Sequence, residues 1–158
     1  MFYCYLAGYI SGNKLQECTE WRKKIREYYN NWKGKETYPI SWLDPLNGEL
    51  EKMSADGLSC SLPGKALVHR DHSSVRISNL IIANLDTFGE QRPLTGTVYE
   101  LAWAWMYKTP VIVISTEKHY VKHPFIIDTA SIIVSSVDEL LEDKYINYIY
   151  KGLVTANY

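Results

Sequence analysis

Two carboxylates and a phenol are the side chains of this sequence best suited to chemistry. Glu100 closes the stretch Gly96-Thr-Val-Tyr-Glu100, Asp71 follows Arg70, and Tyr5 lies in a short apolar run near the start of the chain. Cleavage of a glycosidic bond needs such a pair. One carboxylate attacks the anomeric carbon and the other handles the proton of the leaving group. Each residue also has a plain structural reading. Thr97-x-x-Glu100 matches a capping box, and Ser136-Val-Asp-Glu139 repeats that pattern with no chemical company. Asp71 alone reads as a helix cap, and Tyr5 alone as a strand core residue. No Ser/His/Asp arrangement, zinc spacing or phosphate-binding loop competes with the carboxylate pair.

The elements that must position these groups alternate in type. Phe2–Ala7 reads as a strand entering the turn Gly8-Tyr9-Ile10-Ser11-Gly12, whose spacing is not that of a dinucleotide fingerprint. Thr19–Trp32 reads as a helix with Trp21, Ile25, Tyr28 and Trp32 on one face and Arg22, Lys23, Lys24 and Glu27 elsewhere. Tyr38–Leu43 is the second strand. Asp44–Lys65 is a long irregular segment, expected to cover a ligand pocket or else to be a surface loop. Leu67-Val-His-Arg-Asp71 leads into a helical stretch through Ser78, which Asp71 opens. Asn79–Leu85 is apolar on both faces and hence a central strand, with Asn84 and Asp86 at its end.

Gly96 permits a tight turn and Thr97 reads as the N-cap of the next helix. That places Glu100 in the first turn, where the helix dipole favours an ionised carboxylate. The helix is apolar nearly all round and calls for cover from a sheet and a second subunit. A buried strand over 111–115 follows, then a loop with His119, Tyr120, His123 and Pro124, a strand over Ser131–Val134, and a last helix from Ser136 to about Tyr150. The pattern predicts an α/β fold: a doubly wound parallel sheet of about five strands in a three-layer αβα sandwich, a single domain over residues 1–158. Such sheets bind ligands at the C-terminal ends of their strands. Tyr5, the Gly8–Tyr9 turn, Trp42 with Asp44, Asn84, Asp86 and the loop before Glu100 all arrive there.

Composition narrows the function classes. Lysine and arginine number 17 against 18 aspartates and glutamates, with no basic block, so a nucleic-acid polymer has no electrostatic support as partner. Three cysteines without metal or redox spacing, and no leader-like segment, lead us to expect a reduced, cytoplasmic protein without a membrane anchor. Thirteen tyrosines and five tryptophans exceed what a core of this size needs, which points to aromatic subunit contacts or a stacking surface for a flat ligand.

Taken together, Tyr5-Leu-Ala-Gly8, Arg70-Asp71 ahead of Ile77-Ser-Asn-Leu-Ile-Ile-Ala-Asn-Leu85, Gly96-Thr-Val-Tyr-Glu100-Leu, Lys108-Thr-Pro-Val-Ile and a tail ending in tyrosine resemble the nucleoside 2-deoxyribosyltransferase family. The resemblance runs over nearly the whole chain. It implies a flavodoxin-like fold, no cofactor and no metal, and a retaining double displacement on 2′-deoxyribonucleosides. In that scheme Glu100 matches the nucleophile that attacks C1′. Asp71 matches the acid that protonates the departing nucleobase, and Tyr5 the phenol that orients the nucleophile. Gly8, Tyr9, Trp42, Asp44, Asn84, Asp86 and Gly96 are the expected substrate-binding residues. The resemblance also implies a homo-oligomer, dimer or hexamer, whose pockets are completed across subunits by His123 and Tyr158.

Two positions depart from the pattern. Many members carry a sugar-binding aspartate where Leu94 stands, for which Asp86 or Asn84 would have to substitute. Related deoxyribonucleoside-monophosphate N-glycosidases hold phosphate with an arginine and a serine at the positions of Ser11 and Leu94. That favours an unphosphorylated nucleoside, although Arg70 and Arg92 lie near enough to keep phosphate in view. Beside base exchange, the sequence leaves two alternatives: an N-glycosidase with the same covalent intermediate, acting on deoxyribonucleosides or their monophosphates, and a non-catalytic nucleotide-sensing module on the same fold.

Overall fold

Period-two alternation along the first strand decides which layer each side chain joins. In the computed structural model, which describes residues 1–10, 13–31, 39–46, 52–54, 57–59, 63–89 and 91–154, this strand is β1, Phe2–Gly8. Its even-numbered residues Phe2, Cys4 and Leu6 pack with Trp21, Ile25 and Tyr29 of α1, Leu15–Asn31. Its odd-numbered residues Tyr5 and Ala7 join the opposite core.

Five parallel strands form the sheet in the order β2-β1-β5-β6-β7. They are β1, β2 (Ile40–Leu43), β5 (Leu80–Asn84), β6 (Val111–Ile114) and β7 (Ile132–Val134). On one face lie α1, α6 (Val137–Glu142) and α7 (Tyr145–Val154). On the other lie α2 (Gly64–Ile77), α3 (Thr95–Tyr107) and α5 (Pro124–Thr129), with the short α4 (Lys118–Val121) before it. This is the doubly wound, three-layer α/β architecture the alternation predicts. β5, buried at every position, is central as expected. No helix among the described residues is long and apolar enough to cross a membrane.

Several boundaries differ from expectation for identifiable reasons. α1 begins at Leu15, four residues before the expected Thr19. The segment 44–65 is not wholly irregular: β3 (Lys52–Ser54) and β4 (Gly57–Ser59) pair antiparallel inside it. Pro63 stands at the N-cap of α2 with an extended ψ of 137°, so the helix starts at Gly64 and Asp71 falls in its interior rather than at its opening. The expected last helix is two, α6 and α7, separated at Asp143 and Lys144, the latter in the left-handed region at φ 55°. His123 is the N-cap of α5 rather than a loop residue.

The largest change concerns α3. Its N-cap is Leu94, not Thr97, and Gly96 is helical rather than the hinge of a turn. Glu100 therefore lies in the second turn and caps nothing. Residues three or four apart share one face of a helix, so a capping box and a buried stripe look alike in sequence. Here the stripe is real: Thr97, Glu100, Leu101 and Ala104 are the buried residues of α3. Apart from the half-buried Trp103, much of the rest of this apolar helix is left uncovered by the described residues. Tyr99, Trp105 and Met106 are exposed, as are Phe125 and Ile127 on α5.

Gly8 is set by close approach rather than by backbone angle. A Cβ there would lie 2.9 Å from Trp21 Cζ2, 3.2 Å from the Asn84 carbonyl oxygen and 3.3 Å from Arg22 Nη2. Gly8→Ala is expected to lower unfolding free energy by about 1–3 kcal/mol, the usual cost of overpacking. Denaturant titration measures this; unchanged stability would show that the Trp21 ring can move aside.

Candidate active site

Tyr5 and Glu100 meet because β1 and α3 each turn the right residue inward. Tyr5 is on the β1 face that packs against α3, and Glu100 is on the buried stripe of α3. The Tyr5 hydroxyl donates to Glu100 Oε1 at 2.6 Å, a buried contact between residues 95 positions apart. A donor this close to one carboxylate oxygen fixes the side chain and leaves the other oxygen to face the adjoining space.

That space is a cavity of about 410 Å³ at the C-terminal edge of the sheet, large enough for a nucleoside-sized molecule. Gly8, Tyr9 and Ile10 line it from the end of β1. Leu67, Arg70 and Asp71 line it from α2, and Arg92 to Thr97 together with Glu100 line it from the approach to α3 and from α3 itself; Pro45 completes it. Asp71 is thus brought to the cavity that holds Glu100, from a different helix. The Arg70 guanidinium pairs with Asp71 (Nε to Oδ1, 3.1 Å) and donates through Nη2 to the Pro45 carbonyl at 3.0 Å. A smaller cavity of about 210 Å³, lined by Tyr5, Trp42, Asp44 and Ser74 among others, shares Pro45, Arg70 and Asp71 with the larger one.

Burial dominates the electrostatics. It pushes the Glu100 carboxyl up to about 8, helped by the Asp71 charge, while the Tyr5 hydrogen bond and the Arg22 and Arg70 guanidiniums pull it back. The first-turn dipole expected from sequence is absent, so Glu100 depends on Tyr5 and the arginines for its ionised form. Burial likewise raises Asp71, opposed by Arg70. It also drives Tyr5 well above the usual phenol range, reinforced by Glu100 and Asp71, so that the phenol stays a donor.

Removing the Tyr5 donor must move Glu100 further up. Tyr5→Phe is expected to shift the rising limb of the kcat/KM–pH profile to higher pH and to cut the rate at pH 7 by about 10–100-fold, the worth of a hydrogen bond to a charged group. A limb that stays put or moves down would contradict this electrostatic role.

Sequence reasoning misses Arg22, which it places on the outer face of α1. Arg22 is fully buried beneath the Gly8 turn. Its Nη2 donates to the Leu6 and Gly8 carbonyls at 3.4 and 3.3 Å, its Nη1 donates to the Cys18 carbonyl, and its guanidinium lies 4.4 Å over the Trp21 ring. Asp44 Oδ1 sits 3.5 Å from Arg22 Nε and also accepts from Leu46 N–H, while Oδ2 accepts from Arg26 at 2.6 Å. A long cationic side chain on a helix normally reads as solvated, and only the carbonyls at the end of β1 reveal its role.

The other expected binding residues divide. Gly8, Tyr9 and Gly96 line the larger cavity, while Trp42 and Asp44 line only the smaller one. Asn84 is buried at the end of β5, where its side chain accepts from Asp86 N–H at 3.0 Å, and Asp86 accepts from Thr116 N–H at 3.4 Å. Neither Asn84 nor Asp86 lines a cavity with Glu100, so neither stands where it would replace an aspartate at Leu94. His123 is exposed and lines neither of these cavities, its ring stacked near Phe125. Tyr158 and Ser11 lie outside the described residues. Thr95, Pro93 and Ile10 line the cavity without standing out in sequence, and Thr97, read there only as a helix cap, lines it too. Among the described residues no group of three His, Cys, Asp or Glu side chains could hold a metal ion.

No protein-family model matches the chain, and no curated protein does. Among solved structures the fold is similar to that of a 2-desoxiribosyltransferase from Leishmania mexicana. The alignment covers 98% of this chain and 100% of that one, at 15% sequence identity with a TM-score of 0.58. At that identity the likeness establishes a shared fold.

Proposed function

We propose that the chain is a nucleoside 2-deoxyribosyltransferase, exchanging the nucleobase of 2′-deoxyribonucleosides through a covalent deoxyribosyl–glutamate. The observation that carries this reading is Glu100, held by the Tyr5 hydroxyl, lining a cavity that Asp71 enters from a second helix. The motif resemblance supports it, as does the fold shared with a 2-desoxiribosyltransferase.

In the first half-reaction a Glu100 carboxylate oxygen forms a bond to C1′. The bond from C1′ to the base nitrogen breaks, its electron pair leaves with the base, and Asp71 delivers a proton to the base. In the second half a nitrogen of the incoming base bonds to C1′, the ester to Glu100 breaks, and Asp71 takes the proton that the base gives up. Two inversions at C1′ leave its configuration retained. No external reductant or oxidant enters the balance.

The exposed apolar side chains of α3 and α5 support assembly into a dimer or hexamer. In such an assembly His123 and Tyr158 would serve a neighbouring copy's cavity rather than their own.

Product analysis tests the reading. The protein is incubated with a deoxyribonucleoside, with and without a second free base. A new nucleoside establishes transfer. Free deoxyribose instead means that water intercepts the same intermediate, as in an N-glycosidase. Unchanged substrate would overturn the enzyme reading in favour of a sensing module.

A further inference from the structure

Among the described residues three charged side chains are buried: Arg22, Asp44 and Glu100. A buried charge is costly unless an opposite charge compensates it. Asp44 is held most tightly by Arg26, whose Nη1 donates to Oδ2 at 2.6 Å. Arg22 has a looser hold on Asp44: its Nε lies 3.5 Å from Oδ1 and makes no hydrogen bond. The hydrogen bonds of the Arg22 guanidinium go instead to the main-chain carbonyls of Cys18, Leu6 and Gly8. Carbonyl dipoles solvate a cation but leave its net charge in place. With Asp44 shared between two arginines, the buried anion left to balance Arg22 is Glu100.

Arg22 comes from α1 on one face of the sheet and Glu100 from α3 on the other, and β1 stands between them. Gly8, at the end of β1, lines the same cavity as Glu100. The position its missing Cβ would take is 3.3 Å from Arg22 Nη2. The guanidinium therefore lies directly behind the cavity wall, with no side chain at position 8 to hold it off. A full charge in a poorly polarisable interior acts over such a separation without direct contact. The influence is reciprocal. Burial lowers the Arg22 guanidinium, and Asp44, Cys18, Glu100 and Tyr5, in that order, restore it. Arg22 in turn favours the ionised form of Glu100.

We propose that Arg22 is a positioning residue for the nucleophile: without touching substrate it supplies the positive charge that holds Glu100 as a carboxylate, and Asp44 sets how much of that charge Glu100 feels. The proposal rests on the transfer reaction, in which Glu100 must be ionised to attack C1′. It makes Asp44 a counter-charge rather than a substrate-binding residue. Neutralising Arg22 and neutralising Asp44 must then act on Glu100 in opposite directions. A role confined to bracing the Gly8 turn would lower activity in both cases without that opposition. The other charged or titratable groups facing Glu100 are Tyr5 on β1, Arg70 and Asp71 on α2 and Arg92 ahead of α3, and all are left intact by these changes.

The test follows Glu100 itself. Its carboxyl is titrated by carbon-13 NMR in the full chain labelled at glutamate, the signal being assigned by its loss in Glu100→Gln. The kcat/KM–pH profile for base exchange is measured alongside. Arg22→Gln, which keeps a donor for the carbonyls but removes the charge, is expected to move the Glu100 midpoint and the rising limb up by about one pH unit, cutting kcat/KM at pH 7 about tenfold. Arg22→Lys keeps the charge and should titrate close to wild type. Asp44→Asn should move both the midpoint and the limb down. Should Arg22→Gln fail to fold, Asp44→Asn decides, because it leaves Arg22 in place: a downward shift supports the proposal, and an unmoved or raised midpoint overturns it. If the midpoint moves as stated but no base is exchanged, the electrostatic coupling stands and only the transfer reading falls. Base exchange with a midpoint unmoved by Arg22→Gln, or moved the same way by Arg22→Gln and Asp44→Asn, overturns the proposal and leaves the transfer reading intact.

Discussion

Glu100→Gln is expected to cut turnover by roughly 10⁴-fold or more, the scale on which loss of a covalent nucleophile is felt. The same change should make the protein more resistant to unfolding at alkaline pH. The sign follows from the folded-state carboxyl, pushed from its ordinary 4.5 up to about 8. Between those values the folded chain holds a proton that the unfolded chain releases, so stability falls as pH rises through the window. Above about pH 8 the full cost of a buried, ionised carboxylate is present. Glutamine removes that cost and still offers an oxygen to the Tyr5 hydroxyl. A pKa one unit higher in the folded chain than in the unfolded one costs about 1.4 kcal/mol once the group is ionised, so the gain at pH 9 should amount to a few kcal/mol and vanish near pH 4. Urea titrations at the two pH values measure it. A variant that keeps its rate, or one destabilised at pH 9, would contradict the placement of Glu100.

Asp71→Asn should lower base exchange by about 10²–10⁴-fold, the usual range for a positioned general acid. The loss must depend on the leaving group. A nucleobase that departs readily needs little protonation, so the penalty should shrink as the leaving base becomes less basic. In the protein, burial raises Asp71 while Arg70 holds it in place from the preceding position. The acid form is lost as pH rises, so the falling limb of the pH profile should disappear in the variant. Equal loss across all leaving bases would instead make Asp71 a structural partner of Arg70.

How far the site can be read from sequence depends on which physical signal each residue leaves. β1, β5 and β6 announce themselves as apolar runs, and the helices between them impose the parallel sheet; Tyr5, Gly8 and Glu100 then fall at one edge with little ambiguity. The pattern puts Glu100 one turn too early, because the i, i+3 spacing of Thr97 and Glu100 serves a cap and a buried stripe equally well. Asp71 looks like a helix opening because Gly64-Lys-Ala has no strong apolar period. The Pro63 N-cap is the signal that corrects it. Arg22 leaves none, since its partners are main-chain carbonyls of β1 and α1 that no side-chain pattern encodes. Asn84 and Asp86 arrive at the expected edge, yet their polar atoms pair with the loops that follow β5 and β6 rather than facing the cavity.

The central claim is an ester between one side chain and a sugar, and covalent trapping addresses it directly. A 2′-fluorinated deoxynucleoside, supplied with and without a 5′-phosphate, slows breakdown of the intermediate enough for peptide mass spectrometry. A fluorosugar adduct is predicted on the peptide containing Glu100, absent from Glu100→Gln and discharged by adding a free base. Turnover of the natural substrate with no adduct on that peptide, or an adduct on any other residue, would contradict it.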